Sequence, residues 1–564
     1  MKKTVLYILA TLLTLGCNKF DDMLKNPDQP TEQQVDVDRL IAYVQKHIFS
    51  PDRETFWRSQ LLTADRFADF FRIGFAEGGF TGAGGDGLAY NYNADYTDWY
   101  WSSYYVPIPA TIESILRITD KNGIKPNDKL HGIGLVLKAF LYQRLTDSFG
   151  DIPYTQVADK NIKQPKYDKQ IDIYKDLISI LDKAISRFNS GDTTDPNFNQ
   201  NILGDFIYKG DPKKWEKLAK SLQLRLAMRA YNANSNDFSL DKIKSLVKNK
   251  SELLNDITDW AKIDKDKNDH NPFSDGYNNI WFFGGSDKSN RWKVSENLLK
   301  ALKHSSTLVD PRLSVYAEPI KNKNIAFHKK DLSNFDAYFS FLKNILDRQN
   351  ISYTTNTDGD TVNLILNGQD PIFIGQPARL SLNMKPLLKY DLFSDPGDFL
   401  IGDSDRTLDM LPANVMSPAE VKLLLALVSK NGIADAGNAL ELMKEGMKLS
   451  MQQFRVPDAQ VTDFLSKTNL TDSEENIVTQ LWLSLYGDGF EGWSVVRKYH
   501  YPASVYADIP NDQFHYIIGT LGVKYPQRLK YPQSELSLNG ANVNNAIKNQ
   551  GVDELNTFLW WAQN

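Results

Sequence analysis

The clearest helical pattern in the chain is KLHGIGLVLKAFLYQRLTDSF, residues 129–149. Its apolar residues recur at three- and four-residue spacing: Leu130, Ile133, Leu137, Phe140, Leu141 and Leu145. This spacing places them on one face of an α-helix of about five turns. Gly150 and Pro153 follow directly, and both residue types end helices. The stretch therefore predicts a long amphipathic helix that packs against other helices.

The same periodicity recurs along most of the chain. Ser417-Pro418-Ala419-Glu420 has the residues of a helix start, with serine as the N-cap and proline in the first turn. Further helices are predicted at 171–188, 215–231, 295–304, 417–431, 436–454, 477–486 and 490–498. The sequence thus predicts a mainly α fold of antiparallel helix pairs. It contains no clean 34-residue period, so self-similarity alone does not establish a helical-repeat fold.

Three segments lack this helical pattern. Residues 74–93 are rich in glycine and aromatics, residues 264–292 are polar and aromatic, and residues 321–402 mix short β-like runs such as Val362–Leu366 with turns. Long irregular segments inside a compact protein often carry function. We therefore expect a ligand to bind at these segments.

Cys17 is the single cysteine of the chain and follows a pattern typical of a lipoprotein signal. A basic start, Met1–Lys3, precedes an apolar run from Val5 to Leu15, and Gly16 then stands before the thiol. The run is shorter than the ~20 residues of a membrane span. The alternative is an ordinary buried cysteine. We predict a signal peptide at 1–16, a lipidated flexible tether at 17–25 and a ligand-binding domain at 26–564.

Composition excludes several classes of function. A lipidated Cys17 leaves no free thiol, so disulfides, thiolate metal sites and a cysteine nucleophile are excluded. The net charge is −5, and becomes about −7 when Lys2 and Lys3 leave with the signal peptide. No long basic cluster indicates nucleic-acid binding. Aromatic residues make up 12% of the chain, and their flat faces suit sugar or peptide ligands.

Short motifs for catalysis or metal binding are weak. Gly82–Gly87 has the spacing G-x-G-x-x-G but lacks the flanking strand and helix of a nucleotide site. Asp264–Asn268 has calcium-loop spacing, yet Asp269 and Asp275 replace the glycine and glutamate of an EF-hand. The Asp358–Asp360 stretch reads as a solvated turn. We therefore predict no cofactor, while a looser calcium site stays open.

Aromatic residues in the irregular segments are the candidate ligand contacts. The densest aromatic run, 96–105, continues into a helical face, so we expect Trp101 and Tyr105 to pack in the core. Rings in glycine- and asparagine-rich surroundings are better placed for a ligand. The predicted ligand-binding residues are Tyr90, Tyr92, Asn271, Tyr277, Trp281, Phe282 and Trp292. We expect replacement of Trp281 or Trp292 by alanine to weaken binding with little effect on stability.

Several segments, in order along the chain, resemble the SusD/RagB family of Bacteroidetes outer-membrane nutrient-binding lipoproteins, in particular its SusD-like branch. The matching segments are Asn26–Thr31, Asp147–Tyr154, Lys214–Trp215 with Leu222–Arg229, Asp310–Leu313, Phe490–Trp493 with Arg497, Tyr525–Pro532 with Glu535–Asn539, and Trp560–Trp561. Asp21-Asp22 after Lys19 also resembles the acidic signal that directs such lipoproteins to the cell surface.

The resemblance implies four tetratricopeptide-like helix pairs in a right-handed superhelical scaffold, with long irregular loops and minor β hairpins. It implies an outer-membrane protein that is lipid-anchored, faces outward and acts as a hinged lid over a SusC-like TonB-dependent barrel. The recurring residues Gly150, Pro153, Trp215, Arg225, Arg229, Trp493 and Arg497 are expected to determine the fold rather than contact the ligand.

The leading hypothesis is a non-enzymatic protein that captures an oligomeric nutrient and delivers it to the barrel. A glycan is favoured over a peptide because of the aromatic loops, and the peptide remains open. Two alternatives belong to other classes. A surface hydrolase would need a carboxylate acid/base pair in a cleft, and a scaffold of the import complex would bind no ligand itself.

Overall fold

The computed structural model describes residues 33–73, 94–157, 159, 161–190, 200–233, 238–265, 276–278, 292–303, 308–368, 370–387, 392–404, 407–517 and 521–563. Cys17 and the predicted boundaries near it lie outside these residues. In the described part of the chain, no helix is both long and apolar enough to span a bilayer.

Within the described residues, the first half of the chain contains the helices α1 to α8. They are α1 (Val37–Phe49), α2 (Arg53–Thr55, continued by the π-helix Phe56–Asp65), α3 (Ala94–Tyr105), α4 (Pro107–Thr119), α5 (Asp128–Phe149), α6 (Gln170–Ser190), α7 (Pro212–Ala230) and α8 (Phe238–Lys248). Helix α5 packs against α6, α6 against α7, and α7 against α8. The long predicted helix at 129–149 is thus confirmed as α5, at the centre of a row of packed helices.

The described part of the second half contains the helices α9 to α20. They are α9 (Glu296–Leu302), α10 (Leu313–Tyr316), α11 (Phe335–Arg348), α12 (Asp398–Ile401), α13 (Pro418–Lys430), α14 (Ala439–Gln453), α15 (Asp458–Lys467), α16 (Glu474–Ser484), α17 (Gly489–Tyr499), α18 (Ala503–Tyr506), α19 (Gln533–Leu538) and α20 (Gly540–Gln550). Helix α13 packs against α14 and α16, and it also contacts α7, which joins the two halves. Short 3₁₀ turns lie at Lys250–Glu252, Ile257–Asp259, Lys329–Asp331, Leu382–Leu387 and Trp560–Ala562.

The described strands form four small antiparallel sheets. The strands are β1 (Phe71–Ile73), β2 (Ile152–Pro153), β3 (Tyr167–Asp168), β4 (Ala261–Ile263), β5 (Trp292–Val294), β6 (Asn324–His328), β7 (Tyr353–Asp358), β8 (Thr361–Leu366) and β9 (Ala413–Met416). The pairs are β1–β5, β2–β3 and β4–β9, and the three-stranded sheet has the order β6-β8-β7. The predicted class, mainly α with minor β hairpins, is confirmed.

Two separate hydrophobic cores hold the molecule together. The larger core lies among the packed helices. The smaller core lies between α11 and the sheet β6-β8-β7, where Phe327, Leu342 and Leu364 are buried. The predicted turn at 358–360 joins β7 to β8 and is exposed, as expected. Gly359 there has a φ of 56°, which glycine adopts without strain.

Candidate functional site

Two of the irregular segments that contain predicted ligand residues are flanked by strands that pair with each other. Strands β1 and β5 pair in antiparallel register, so that Ile73 lies opposite Trp292. Ile73, which precedes residues 74–93 in the sequence, therefore lies beside Trp292, which follows residues 279–291. Five of the predicted ligand residues, Tyr90, Tyr92, Asn271, Trp281 and Phe282, lie outside the described residues, and their role stays a prediction.

Tyr277 lies in a described three-residue segment that is fixed to the helical scaffold. Its hydroxyl donates to Oδ2 of Asp65 at 2.7 Å and accepts from Nε2 of Gln60 at 3.2 Å. Its ring meets Phe56 edge to face, with the centroids 4.7 Å apart. Burial raises the pKa of Asp65 to about 8, so this carboxyl carries a proton at neutral pH. Tyr277 thus anchors its segment to the π-helix, and only 7% of the residue is exposed.

Trp292 occupies a different environment from the predicted one. The sequence placed it in an irregular segment, but the structure places it in strand β5, and 4% of the residue is exposed. The side chain lies beside the apolar residues Leu61 and Phe71. The predicted loop position is therefore wrong, because backbone pairing with β1 draws this residue into the core. The expectation that its loss would spare stability is revised accordingly.

Three aromatic rings surround Arg58 at the surface of the protein. The guanidinium carbon lies 5.2 Å from the ring centroid of Trp57, 5.6 Å from that of Tyr96 and 4.4 Å from that of Trp99. These distances are typical of cation–π contacts. Glu54 forms an ion pair with Arg58. We call Trp57, Tyr96 and Trp99, with Arg58, the aromatic cluster.

Trp99 is the most accessible ring of the aromatic cluster. The residue is 41% exposed, while Trp57 and Tyr96 are half-buried. Its indole Nε1 donates to Oγ1 of Thr55 at 3.2 Å, which fixes the ring orientation. A fixed aromatic face at the surface can stack on the apolar face of a sugar ring, and its orientation costs little entropy on binding. The aromatic cluster therefore presents one fixed and exposed ring, that of Trp99, at the surface.

The two faces of α3 explain why the sequence pattern concealed this cluster. Trp101 and Tyr105 are 3% and 8% exposed, and their rings stack at 4.3 Å, so the predicted core position of both is confirmed. Tyr96 and Trp99 lie three residues apart, on the side of the helix that faces the π-helix. The dense aromatic run contained both faces, and only the core face was expected.

A narrow cleft lies beside Tyr277. Its volume is about 30 Å³, which is room for a water molecule or two but not for a sugar. The lining includes Phe56, Gln60, Arg144, Lys265, Tyr277, Asn414 and Asp488. In this conformation the cleft does not enclose a sugar unit.

The recurring charged residues are engaged inside the scaffold. Arg225 contacts Glu420 with Nε and Nη2, each at 2.6 Å from a carboxylate oxygen. Arg229 binds Asp147 at 2.6 Å and also pairs with Glu491. Arg497 is also buried, and it donates to the backbone oxygens of Asp147 and Gln527 at 2.7 and 2.8 Å. These contacts assign the charged residues a structural role.

The recurring tryptophans are also committed to the scaffold. Trp215 donates from Nε1 to Oδ2 of Asp205 at 2.7 Å, and Trp493 donates to the backbone oxygen of Pro526 at 2.9 Å. Both residues are fully buried. Their position agrees with the expectation that they determine the fold.

Metal binding finds no support in the residues that the structure describes. Among them, no three His, Cys, Asp or Glu side chains are grouped closely enough to hold an ion. Asp264 and Lys265 are described, but residues 266–275, the rest of the predicted calcium loop, lie outside. The looser calcium site therefore stays a prediction.

The fold and a comparison with known protein families together identify this chain. The helical scaffold with an aromatic surface cluster defines the class, a mainly helical binding protein. A family model described as "Starch-binding associating with outer membrane" matches residues 79–532. Because that match covers most of the chain, the protein belongs to this SusD-like family. No curated protein matches the chain closely enough to count as a relative.

Solved structures share the fold at low sequence identity. A structure named a chitin-binding protein aligns with a TM-score of 0.71 and 21% identity, covering 94% of this chain and 100% of its own. A chitin-binding SusD homolog from Flavobacterium johnsoniae aligns with a TM-score of 0.67 and 19% identity, covering 94% and 99%. A SusD homolog from Bacteroides uniformis aligns at 0.68 and 19%, again covering 94% and 99%. At these identities the likeness establishes the fold.

Proposed function

We propose that this protein is a non-enzymatic surface lipoprotein that binds an oligomeric glycan and delivers it to a SusC-like TonB-dependent barrel. The observation that carries the proposal is the aromatic cluster, an oriented set of rings in which Trp99 is 41% exposed and in which Tyr96 and Trp99 belong to α3, the helix that begins directly after residues 74–93. Two of the structural neighbours are named for binding chitin, which supports a glycan as the ligand class.

In the proposed complex, Trp99 stacks on one sugar face, and polar groups nearby bind hydroxyls. Arg58 is already oriented by three rings and Glu54, so its remaining N–H groups are directed donors. We include Tyr90, Tyr92, Asn271, Trp281 and Phe282 as further contacts, because the sequence places them in the polar and aromatic irregular segments 74–93 and 264–292. Tyr277 serves as the anchor of one of these segments.

Trp99→Ala is expected to weaken glycan binding by about tenfold or more, since a stacked ring contributes on the order of 1–2 kcal/mol. Isothermal titration calorimetry with chito- and malto-oligosaccharides measures the change. Phe206→Ala is the matched control, because Phe206 is 40% exposed but lies in another part of the fold. Unchanged affinity in Trp99→Ala, or an equal loss in the control, contradicts the proposal.

The same titration separates binding from the other functional classes. Release of shorter sugars at enzymatic rates during the incubation would identify a hydrolase. Failure of the isolated protein to bind any offered glycan, together with copurification of a β-barrel protein, would identify a scaffold. Failure to recover any barrel protein from native membranes in mild detergent would contradict the proposed partner.

Cys17 is proposed to carry the lipid that holds the protein at the outer membrane. We expect Cys17→Ala to lose incorporation of labelled fatty acid and to leave the membrane fraction, because no other anchor is predicted in the sequence. Fractionation and metabolic labelling measure both effects. Ser50→Ala is the control, because Ser50 lies outside the predicted signal peptide and tether. Membrane retention of the Cys17 variant would contradict the proposed anchor.

A further inference from the structure

A second and much larger cleft lies where the smaller core meets the larger one. Its volume is about 970 Å³, at the upper end of the range of about 300–1,000 Å³ that ligand sites occupy. It is lined by Lys303 after α9, by Leu313 and Ser314 at the start of α10, by residues 349–352 after α11, and by Gly368 and residues 371–373. We call it the inter-core cleft. None of its lining residues belongs to the aromatic cluster.

Lys303 gives the inter-core cleft its distinguishing chemistry. Its ammonium donates to the backbone oxygen of Phe373 at 3.0 Å. An ammonium has three N–H donors, so one hydrogen bond leaves two for another acceptor. Within the described ranges, no carboxylate lies within 4.0 Å of this nitrogen. Burial lowers the pKa of Lys303, which is the response of a cation that lacks a counter-charge.

The acidic groups near the cleft are already neutralised. Asp310 lines the cleft, but Arg312 binds both of its oxygens, at 3.0 and 2.7 Å. Asp370 is mostly exposed and pairs with Lys323 at 2.9 Å. The undescribed neighbours in sequence, 304–307 and 369, are HSST and Q, which contain no carboxylate. Among the described lining residues, none therefore balances the positive charge of Lys303.

We infer that the inter-core cleft binds an acidic oligosaccharide, with Lys303 as the counter-charge of a carboxylate or sulfate group on the sugar. The hydroxyl of Ser314 donates to the backbone oxygen of Pro311 at 3.1 Å, so its oxygen remains an acceptor for a sugar hydroxyl. The apolar surface of Val309, which is 43% exposed, and of half-buried Ile351 on the cleft wall suits the C–H faces of a sugar ring. This inference does not rest on the proposed role of the aromatic cluster.

The test compares four proteins with three charged probes. The proteins are the wild type, Lys303→Met, Lys303→Arg and, as the matched control, Lys300→Met, because Lys300 is an exposed lysine in α9, three residues before Lys303. The probes are tetragalacturonate, which carries carboxylates, sulfated maltotetraose, and a tetraglutamate peptide of similar charge. Calorimetric titration gives each affinity, and thermal melting verifies that every variant is folded.

We expect at least one acidic sugar to bind the wild type saturably and to lose about tenfold or more in affinity in Lys303→Met, since a hydrogen bond to a charged group is worth about that factor. Lys303→Arg should retain most of the affinity, and Lys300→Met should retain all of it. The two sugar arms distinguish a carboxylate from a sulfate. Trp99→Ala should leave this binding intact, so failure of either proposal is recognised separately.

Three outcomes would overturn the inference. The first is an absence of saturable binding of both acidic sugars to the wild type. The second is an equal affinity in Lys303→Met, or an equal loss in Lys300→Met, which would show that Lys303 does not hold the anion. The third is tighter binding of tetraglutamate than of either sugar, which would assign the cleft to an acidic peptide.

Discussion

Arg229→Met is expected to lower the free energy of unfolding by about 3–5 kcal/mol, because it removes the counter-charge of buried Asp147 and the closer of the two counter-charges of buried Glu491. Arg229 is 4% exposed, and it binds Oδ2 of Asp147 at 2.6 Å and pairs with Glu491. Burial alone would raise the pKa of Glu491, but Arg229 and Arg225 outweigh burial and lower it. Glu491 is therefore charged in the folded protein, and in the variant its remaining counter-charge is Arg225, whose Nε lies 3.7 Å from the carboxylate.

Urea denaturation followed by circular dichroism measures the loss at pH 7. Arg455→Met is the matched control, because Arg455 pairs with Asp409 at 3.1 Å while both side chains are more than half exposed. An exposed pair contributes about 0–1 kcal/mol, so the control should unfold almost like the wild type. A similar small loss in both variants would show that the Arg229 network contributes little to stability.

The position of this network explains why the motifs recur as fold determinants. Asp147 lies at the end of α5, Arg229 at the end of α7 and Glu491 in α17. Asp147 also accepts from the indole of Trp561 at 2.8 Å, which fixes the C-terminal end of the chain to the helices. The network thus joins elements from three distant parts of the sequence. The motifs indicated a structural role, but the partners, 262 and 414 residues apart, were not visible in any local pattern.

The helices of the scaffold were predictable because their periodicity is local. The predicted 129–149 agrees with Asp128–Phe149, and Ser417 is the N-cap of α13, accepting from the backbone N–H of Glu420 at 3.2 Å. The helix predicted at 436–454 begins instead at Ala439, because Gly437 has a φ of 118° and Asn438 takes the N-cap. Such differences of a few residues arise where side-chain caps compete with helix propensity.

The largest described element that was not predicted from the sequence is α11, which lies in the segment predicted to contain short strands and turns. Its apolar residues Phe335, Phe339, Leu342 and Leu346 have helical spacing, so the signal was present but was overlooked among the β-like runs. The π-helix Phe56–Asp65 carried no comparable signal. Since Trp57 lies on it, the aromatic cluster could not be assembled from the sequence.

The exposure of an aromatic residue was the least predictable property. Polar neighbours in the sequence favoured ligand contact for Trp292, whereas the structure buries this residue through strand pairing. The helical aromatic run led to a prediction only for its core face, Trp101 and Tyr105, while Trp99 on the other side of α3 is exposed. Local composition reports the character of a segment, whereas burial depends on distant elements that pack on it.

Trp292→Ala is accordingly expected to cost about 3–5 kcal/mol of unfolding free energy, the usual loss for a large aromatic removed from a core. Its ring lies in the core beside Leu61 and Phe71, and its Nε1 has no hydrogen-bond partner among the described residues, so the loss comes from packing. The variant should also loosen β5, whose backbone pairs with β1. Thermal and urea unfolding measure the effect.

Trp99→Ala provides the matched control, since it removes the same side chain from a residue that is 41% exposed. We expect this control to lose less than about 1 kcal/mol of stability, as is usual for surface substitutions, while it loses glycan affinity. The two tryptophans should therefore separate cleanly into one that stabilises the fold and one that binds the ligand. A stable Trp292→Ala protein with weakened glycan binding would reverse that assignment, because it would place the ring of Trp292 against the ligand.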